Sequence, residues 1–166
     1  MSGAGKTTLA EQAKVELELQ KIPVEIIDAD EYRKFLFKDL GFSKADRMEN
    51  IRRLAFIANK FSSHNIITII CAINPYEEVR EEIKKKYKNV KTVFISCPIP
   101  ELIKRDTKGL YKKALLPDGH VDKINNLTGI NDPFETPLAA DLVIQTQKEN
   151  SRESADRLLK FIQSCL

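Results

Sequence analysis

Ser2-Gly3-Ala4-Gly5-Lys6-Thr7-Thr8 is the stretch on which the fold turns, and Leu9, Ala13 and Leu17 follow it at helical spacing. It is the core of the phosphate-binding pattern GxxxxGK[ST], lacking the first Gly, which would fall one residue before Met1. The small residues Gly3, Ala4 and Gly5 let backbone N–H groups curl around phosphate oxygens. Thr7 and Thr8 open a helix expected from about Lys6 to Gln20, and the N-terminus of a helix favours anions. Lys6 is placed to reach the β- and γ-phosphates of a nucleoside triphosphate, and the Thr7 hydroxyl to ligate Mg²⁺. A flexible Gly/Ser tail running into an ordinary helix is the plainer reading, and the position of the motif at the first helix start argues against it.

Outward from this loop, strand and helix signals alternate. Val24-Glu25-Ile26-Ile27 follows Pro23 as a short strand. Ser43 with Asp46 has the form of a capping box. Ile51, Leu54, Ala55, Ala58 and Phe61 then make a helical stripe behind it. Residues 66–71, Ile-Ile-Thr-Ile-Ile-Cys, read as a strand buried on both faces. A charged helix is expected over Tyr76 to Tyr87, a strand over Val90 to Ser96, a helix over Pro98 to Asp106, a strand over Leu142 to Ile144 and a closing helix over Ser151 to Ser164. The alternation implies right-handed crossovers and a parallel sheet with helices on both faces, an α/β P-loop NTPase fold. Residues 107–137 hold Gly, Pro, Asn and Asp without periodicity, and a segment of that length in a compact domain reads as a lid. One domain over residues 1–166 is expected. A P-loop normally follows a strand that is central in its sheet. The expectation is therefore that the sequence begins at an internal Met or lacks upstream residues. Without that strand its neighbours would carry unpaired backbone groups, each costing about 1–3 kcal/mol if buried, so the chain as it stands should be poorly stable and bind ATP weakly.

Composition narrows the function classes. A hydrophobic fraction of 42% and a charged fraction of 31% are those of an ordinary globular chain. A net charge of +3 is too mild for a nucleic-acid or membrane partner and is compatible with an anionic small molecule. No apolar run approaches the roughly 20 residues of a bilayer span, and the first residues lack a charged-then-apolar leader. Cys71, Cys97 and Cys165 are odd in number, widely spaced and without a CxxC pair, so reduced thiols and a cytoplasmic location are expected.

The second half of a metal site would stand at the carboxyl end of a parallel strand, where ligands bind. The strand at 66–71 runs into Ala72-Ile73-Asn74, with no carboxylate. The strand at 24–27 runs into Asp28-Ala29-Asp30. One of these two acids can organise Mg²⁺ and one can accept the proton of an attacking hydroxyl, and their roles stay open between them. The plainer alternative is a polar turn with Asp30 as a helix N-cap.

These residues, with several multi-residue stretches beyond them, resemble the adenylylsulfate kinase family from Ser2 to about Thr146. The stretches are Lys38-Asp39-Leu40-Gly41-Phe42-Ser43 with Asp46-Arg47 and Glu49-Asn50-Ile51-Arg52-Arg53, Asn74-Pro75-Tyr76 with Arg80, Arg105-Asp106 with Lys108-Gly109-Leu110-Tyr111-Lys112-Lys113-Ala114, and Thr128-Gly129-Ile130 with Pro133-Phe134-Glu135. The resemblance implies a nucleoside-monophosphate-kinase-like fold. It implies ATP- and Mg²⁺-dependent phosphorylation of the 3′-hydroxyl of adenosine 5′-phosphosulfate in sulfate assimilation, with Lys6, Asp28 and Asp30 catalytic and Thr7 and Asp28 at the metal. It further implies acceptor contacts from Asp30, Arg33, Phe42, Arg47, Asn50, Ile73, Asn74, Lys108 and Leu127, a nucleotide contact from Arg105, and a possible homodimer. Arg33 and Arg47 suit an anionic group bidentately, and Phe42 suits a stacked ring.

The family pattern is altered at a few points. Ala29 stands between the two acids where Gly is usual, Asn74 where Ser is usual, and Glu77 where a basic residue is frequent. Asn126-Leu127 replaces Gly-Phe, and the loop 115–123 looks longer. A Leu in place of one ring of an aromatic pair is expected to cost about 0.5–1.5 kcal/mol beyond area. Two other readings share the same loop: a kinase of another small acceptor, such as a sugar or a nucleoside monophosphate, and an inactive P-loop module.

Overall fold

The computed structural model describes residues 1–166. Eleven elements follow one another: α1 (Lys6–Leu19), β1 (Val24–Asp28), α2 (Ala29–Phe35), α3 (Lys44–Ser62), β2 (Ile67–Cys71), α4 (Glu77–Lys86), β3 (Val93–Ser96), α5 (Ile99–Arg105), α6 (Leu110–Ala114), β4 (Leu142–Gln145) and α7 (Ser151–Ser164). Each expected strand and helix is present within a few residues of its expected ends. All strand pairing is parallel, as the crossover rule requires of strands separated by helices.

The strands form two separate two-stranded sheets. In one, β1 lies beside β2 with Val24 opposite Ile67 and Asp28 opposite Cys71. In the other, β3 lies beside β4 with Val93 opposite Leu142 and Ser96 opposite Gln145. No strand pairs with a second edge of β2 or of β3. This explains a departure from the sequence reading. Ile67–Cys71 looks buried on both faces, yet only Cys71 is buried, and Ile70 remains 36% exposed.

Two apolar cores hold the chain. One gathers Leu9 and Ala13 of α1, Ile95, Leu102, Tyr111, Ile144 and Leu158 around β3, β4 and the helices beside them. The other gathers Ile27 of β1 with Met48, Ile51 and Leu54 of α3 and Val79 and Ile83 of α4. Helix α1 packs on α7, β1 and β2, while α3 packs on β2 and α4, so helices cover both faces. Ser43 caps α3 by accepting the Asp46 N–H at 3.1 Å. The return half of a capping box is replaced by the Ser43 hydroxyl donating to Asp46 Oδ2 at 2.7 Å. The segment 107–137, expected to be irregular, contains α6 and a parallel bridge between Thr128 and Asp132. Asp106 makes the short helix possible, because its carboxylate accepts the N–H groups of Tyr111 and Lys112 at 3.0 and 2.9 Å. No helix is long and apolar enough to cross a membrane.

Candidate active site

The phosphate loop takes the shape its glycines permit. Gly3 has φ 69° and Gly5, immediately before α1, has φ 96°, both in the left-handed region that a side chain disfavours. Such turns point successive N–H groups inward as an anion nest at the positive end of α1. Ala4 is buried behind the loop at 1% exposure. Two residues that sequence reasoning left without a role hold the loop from outside. The Tyr111 hydroxyl donates to Ser2 O at 3.0 Å, and the Thr146 hydroxyl donates to Ala4 O at 3.2 Å. Thr146 was findable, because it directly follows a strand whose carboxyl end faces the crevice. Tyr111 stood within a stretch that matches the family, but nothing in the sequence pointed its hydroxyl at Ser2, over a hundred residues away.

A cleft of about 210 Å³ lies over this loop. Gly3, Gly5, Lys6, Thr7 and Thr8 line one side, Asp28, Asp30 and Ile73 another, and Lys108 closes it from the segment after α5. The sequence reading missed Thr107 and Cys71, which also line it. The Lys6 ammonium donates to Met1 O at 2.9 Å, and its pKa is pushed below the ordinary 10.5, chiefly by burial. The Thr7 hydroxyl donates to Asp28 Oδ2 at 2.8 Å, while Asp28 Oδ1 accepts the Asp30 N–H at 2.9 Å. The α2 N-cap is therefore Asp28, not Asp30. Asp30 extends into the cleft mouth and accepts from Lys108 Nζ at 2.5 Å, a contact that holds the Lys108 pKa above its ordinary value. Burial raises the Cys71 thiol to about 11, with nearby Asp28 adding to the shift, so this sulfur stays protonated.

Thr7 Oγ1 and the Asp28 carboxylate offer hard oxygen donors side by side, the donor type Mg²⁺ prefers. No group of three acidic, His or Cys side chains could hold a metal alone.

A second group stands apart from the cleft lining. Phe42 is 56% exposed, with the guanidinium carbons of Arg33 and Arg47 at 5.1 and 5.5 Å from its ring centroid. Burial first, and then the neighbouring Arg47 charge, push the Arg33 pKa down. Arg33 Nη1 donates to Gly41 O at 2.8 Å. Arg47 is committed to the protein: Nε donates to Phe42 O at 3.0 Å, Nη1 to Thr128 Oγ1 at 3.1 Å and Nη2 to Asn126 O at 2.6 Å. Asn50 and Asn74 each keep a buried side-chain oxygen without a hydrogen-bond partner, an unmet acceptor that a ligand N–H or O–H can fill. Two expected contacts point elsewhere. Leu127 is 7% exposed within the apolar core around β3 and β4. Arg105 Nη2 donates to Thr146 O at 2.8 Å and Nη1 approaches Thr146 Oγ1 at 3.3 Å, which ties Arg105 to the residue supporting Ala4.

The family model for adenylylsulphate kinase matches residues 1–145. The chain belongs to the adenylylsulphate kinase family. It is 41% identical over 159 residues to an adenylyl-sulfate kinase of Gloeothece citriformis, covering 96% of this chain and 88% of that one. It is 43% identical to a probable bifunctional SAT/APS kinase 2 of Sorangium cellulosum, of which it spans only 26%. Among solved structures, the APS kinase of Mycobacterium tuberculosis in complex with AMPPNP and APS superposes with a TM-score of 0.90 at 31% identity, covering 98% of this chain and 93% of the other. The chain is thus a kinase with the P-loop fold that its first residues announce.

Proposed function

We propose that the chain transfers the γ-phosphoryl group of ATP to the 3′-hydroxyl of adenosine 5′-phosphosulfate, giving ADP and 3′-phosphoadenosine 5′-phosphosulfate. The observation that carries this reading is the cleft itself. A glycine nest with Lys6 and Thr7 on one side faces two differently employed acids on another, and apart from this lining Arg33 of α2 and Arg47 of α3 flank Phe42, which lies between those helices. The triphosphate lies along the nest, where the loop N–H groups and Lys6 bear on the β- and γ-phosphates. Thr146, with Arg105 bonded to it, braces the loop under the triphosphate through Ala4 O. Arg33 and Phe42 face the acceptor, Arg33 as the cation for its phosphosulfate and Phe42 as the surface for its ring, with Asn50, Asn74 and Ile73 beside them.

The two acids divide the work as their bonds suggest. Asp28, already joined to Thr7, would hold Mg²⁺ with it. Bound there, the ion would neutralise charge on the phosphate oxygens. Asp30, free of the loop and paired with Lys108, takes the proton of the 3′-hydroxyl as its oxygen forms a bond to Pγ. The bond from Pγ to the β–γ bridging oxygen breaks, and ADP leaves. Lys108 and the segment 107–137 close over the site as a lid, excluding water that would otherwise compete for the phosphoryl group. We further propose one domain over residues 1–166, from the length of the chain, a cytoplasmic location, from its three unpaired cysteines, and self-association as a homodimer, from the family resemblance.

A coupled ADP-release assay with ATP, Mg²⁺ and adenosine phosphosulfate, run beside gluconate, AMP and CMP as acceptors, tests the reaction. Adenosine phosphosulfate should be used far better than the others. Preferential transfer to a sugar acid or a nucleoside monophosphate, or no transfer at all, would sink the proposal. Light scattering tests the assembly, with a mass near twice the 18.9 kDa chain expected.

A further inference from the structure

The first residue of the lid carries a hydroxyl that the protein itself does not use. Thr107 follows α5, and both of its neighbours are spent on other groups. The Asp106 carboxylate accepts the N–H groups of Tyr111 and Lys112 at 3.0 and 2.9 Å, and Asp106 O accepts the Gly109 N–H at 2.9 Å. Lys108 Nζ donates to Asp30 Oδ2 at 2.5 Å. The Tyr111 hydroxyl donates to Ser2 O, so the turn 106–111 is tied to the phosphate loop through Tyr111 and to the acid side of the cleft through Lys108. Thr107 is held within that turn. It is exposed, and it lines the cleft together with Gly3 and Lys6. A methyl group at Gly3 would come 3.8 Å from Thr107 Oγ1 and 3.9 Å from Leu102 Cδ2. The hydroxyl therefore stands off the glycine nest by a gap that one methyl group would fill, and the fully buried Leu102 backs the same glycine.

We propose that the Thr107 hydroxyl is a ligand for the γ-phosphate of the bound nucleotide. A hydroxyl has one hydrogen to donate, and a donor aimed at an anionic oxygen makes a stronger bond than one aimed at a neutral group. Position decides between the phosphates. The nest runs on into Lys6 and Thr7 at the start of α1, whereas Thr107 borders Lys108 and through it Asp30, the acid read above as the base for the acceptor hydroxyl. The phosphoryl group that is transferred lies between these two sides, and it is the one a side chain reaching in from Thr107 meets. The inference rests on that reading of the cleft. If the hydroxyl met only water, an aliphatic side chain of the same shape would serve equally well at this exposed position.

Titration calorimetry of wild type, Thr107→Val and Thr107→Ser with ATP and with ADP, each with Mg²⁺ and without acceptor, tests this. Thr107→Val deletes the hydroxyl and keeps the shape. It should raise Kd for ATP about tenfold, the low end for a hydrogen bond to a charged group, and leave Kd for ADP within about twofold of wild type. Thr107→Ser keeps the hydroxyl and should bind ATP within about threefold of wild type. All three proteins should melt at the same temperature, because no bond within the protein is lost. Unchanged ATP affinity in Thr107→Val, an equal loss for ATP and ADP, or a Ser variant as weak as the Val variant would overturn the proposal, as would a wild-type chain that binds no ATP. A chain that binds ATP but passes no phosphoryl group to adenosine phosphosulfate refutes the acceptor assignment instead. The comparison of ATP with ADP then still decides the role of Thr107.

Discussion

Replacing Arg80 with Ala should damage the fold more than any substitution in the cleft. Arg80 is 5% exposed and makes three separate attachments. Its Nε donates to Glu77 Oε2 at 2.7 Å, Nη1 to Asn74 O at 2.6 Å and Nη2 to Glu135 O at 2.8 Å. Glu77 is also tied to Glu135 directly, its own N–H donating to Glu135 Oε2 at 2.5 Å. Truncation leaves two carbonyls and a carboxylate without their donor. Breaking one partner out of a buried ion pair costs about 3–5 kcal/mol, a large part of the roughly 5–15 kcal/mol that holds a domain together. For a chain of this size about 2–4 °C is lost per kcal/mol, so Tm should fall by roughly 6–20 °C. Arg80→Lys should recover only part, because one ammonium cannot reach three acceptors arranged for a planar fork. Thermal and urea unfolding followed by circular dichroism measure both variants. A loss below about 1 kcal/mol for Arg80→Ala would refute the reasoning, since it would mean that water satisfies these groups in the native state.

The cleft supports further expectations. Lys6→Ala should lower turnover by about 10²–10³, as does loss of a contact aimed at transition-state charge, with the melting temperature little changed; near-normal turnover would remove Lys6 from the mechanism. Burial holds Lys6 below 10.5 in the free protein, and a bound polyphosphate favours its charged form. ATP binding should therefore take up protons on the alkaline side below pH 10.5 and weaken as pH rises through that window. Titration calorimetry in two buffers of different ionisation enthalpy reads the uptake, and no buffer dependence would count against it. Burial, with Asp106 adding to it, raises Tyr111 to about 12 from an ordinary 10.0. Its folded-state pKa exceeds the unfolded one, so its contribution is complete below pH 10 and fades as pH climbs toward 12. Tyr111→Phe should flatten that part of the stability curve in urea titrations and, by freeing Ser2 O, weaken ATP binding severalfold; an unaltered pH slope would show that the hydroxyl is not held as described.

Local chemistry made much of this molecule readable in advance. The glycines and Lys6 at a helix start, the β-branched runs and the Asp28–Asp30 pair at a strand end each carry their reason in residue type and spacing, and all stand where expected. What stayed hidden depends on partners distant in the chain. The exposure of Ile70 follows from the absence of a second neighbour for β2, which no feature of Ile67–Cys71 encodes. Arg47 was expected at the acceptor from the family resemblance, and its hydrogen bonds to Thr128 and Asn126, about eighty positions away, were not legible in the sequence. Leu127 looked like a poor substitute for a stacking ring, whereas the fold spends it on the core. Asp28 displaced Asp30 as the helix cap because a cap must precede the first helical N–H groups it serves.

The paired sheets give the chain two apolar cores, one around β3 and β4 and one around β1 with α3 and α4. In the proposed arrangement ATP rests mainly on the first and the acceptor on the second. Each substrate then behaves as a rivet driven through one plate, and only when both are in place are the plates fixed against each other. Amides of α3 and of α7 should accordingly exchange with solvent at separate rates in the empty protein and converge when both ligands are bound.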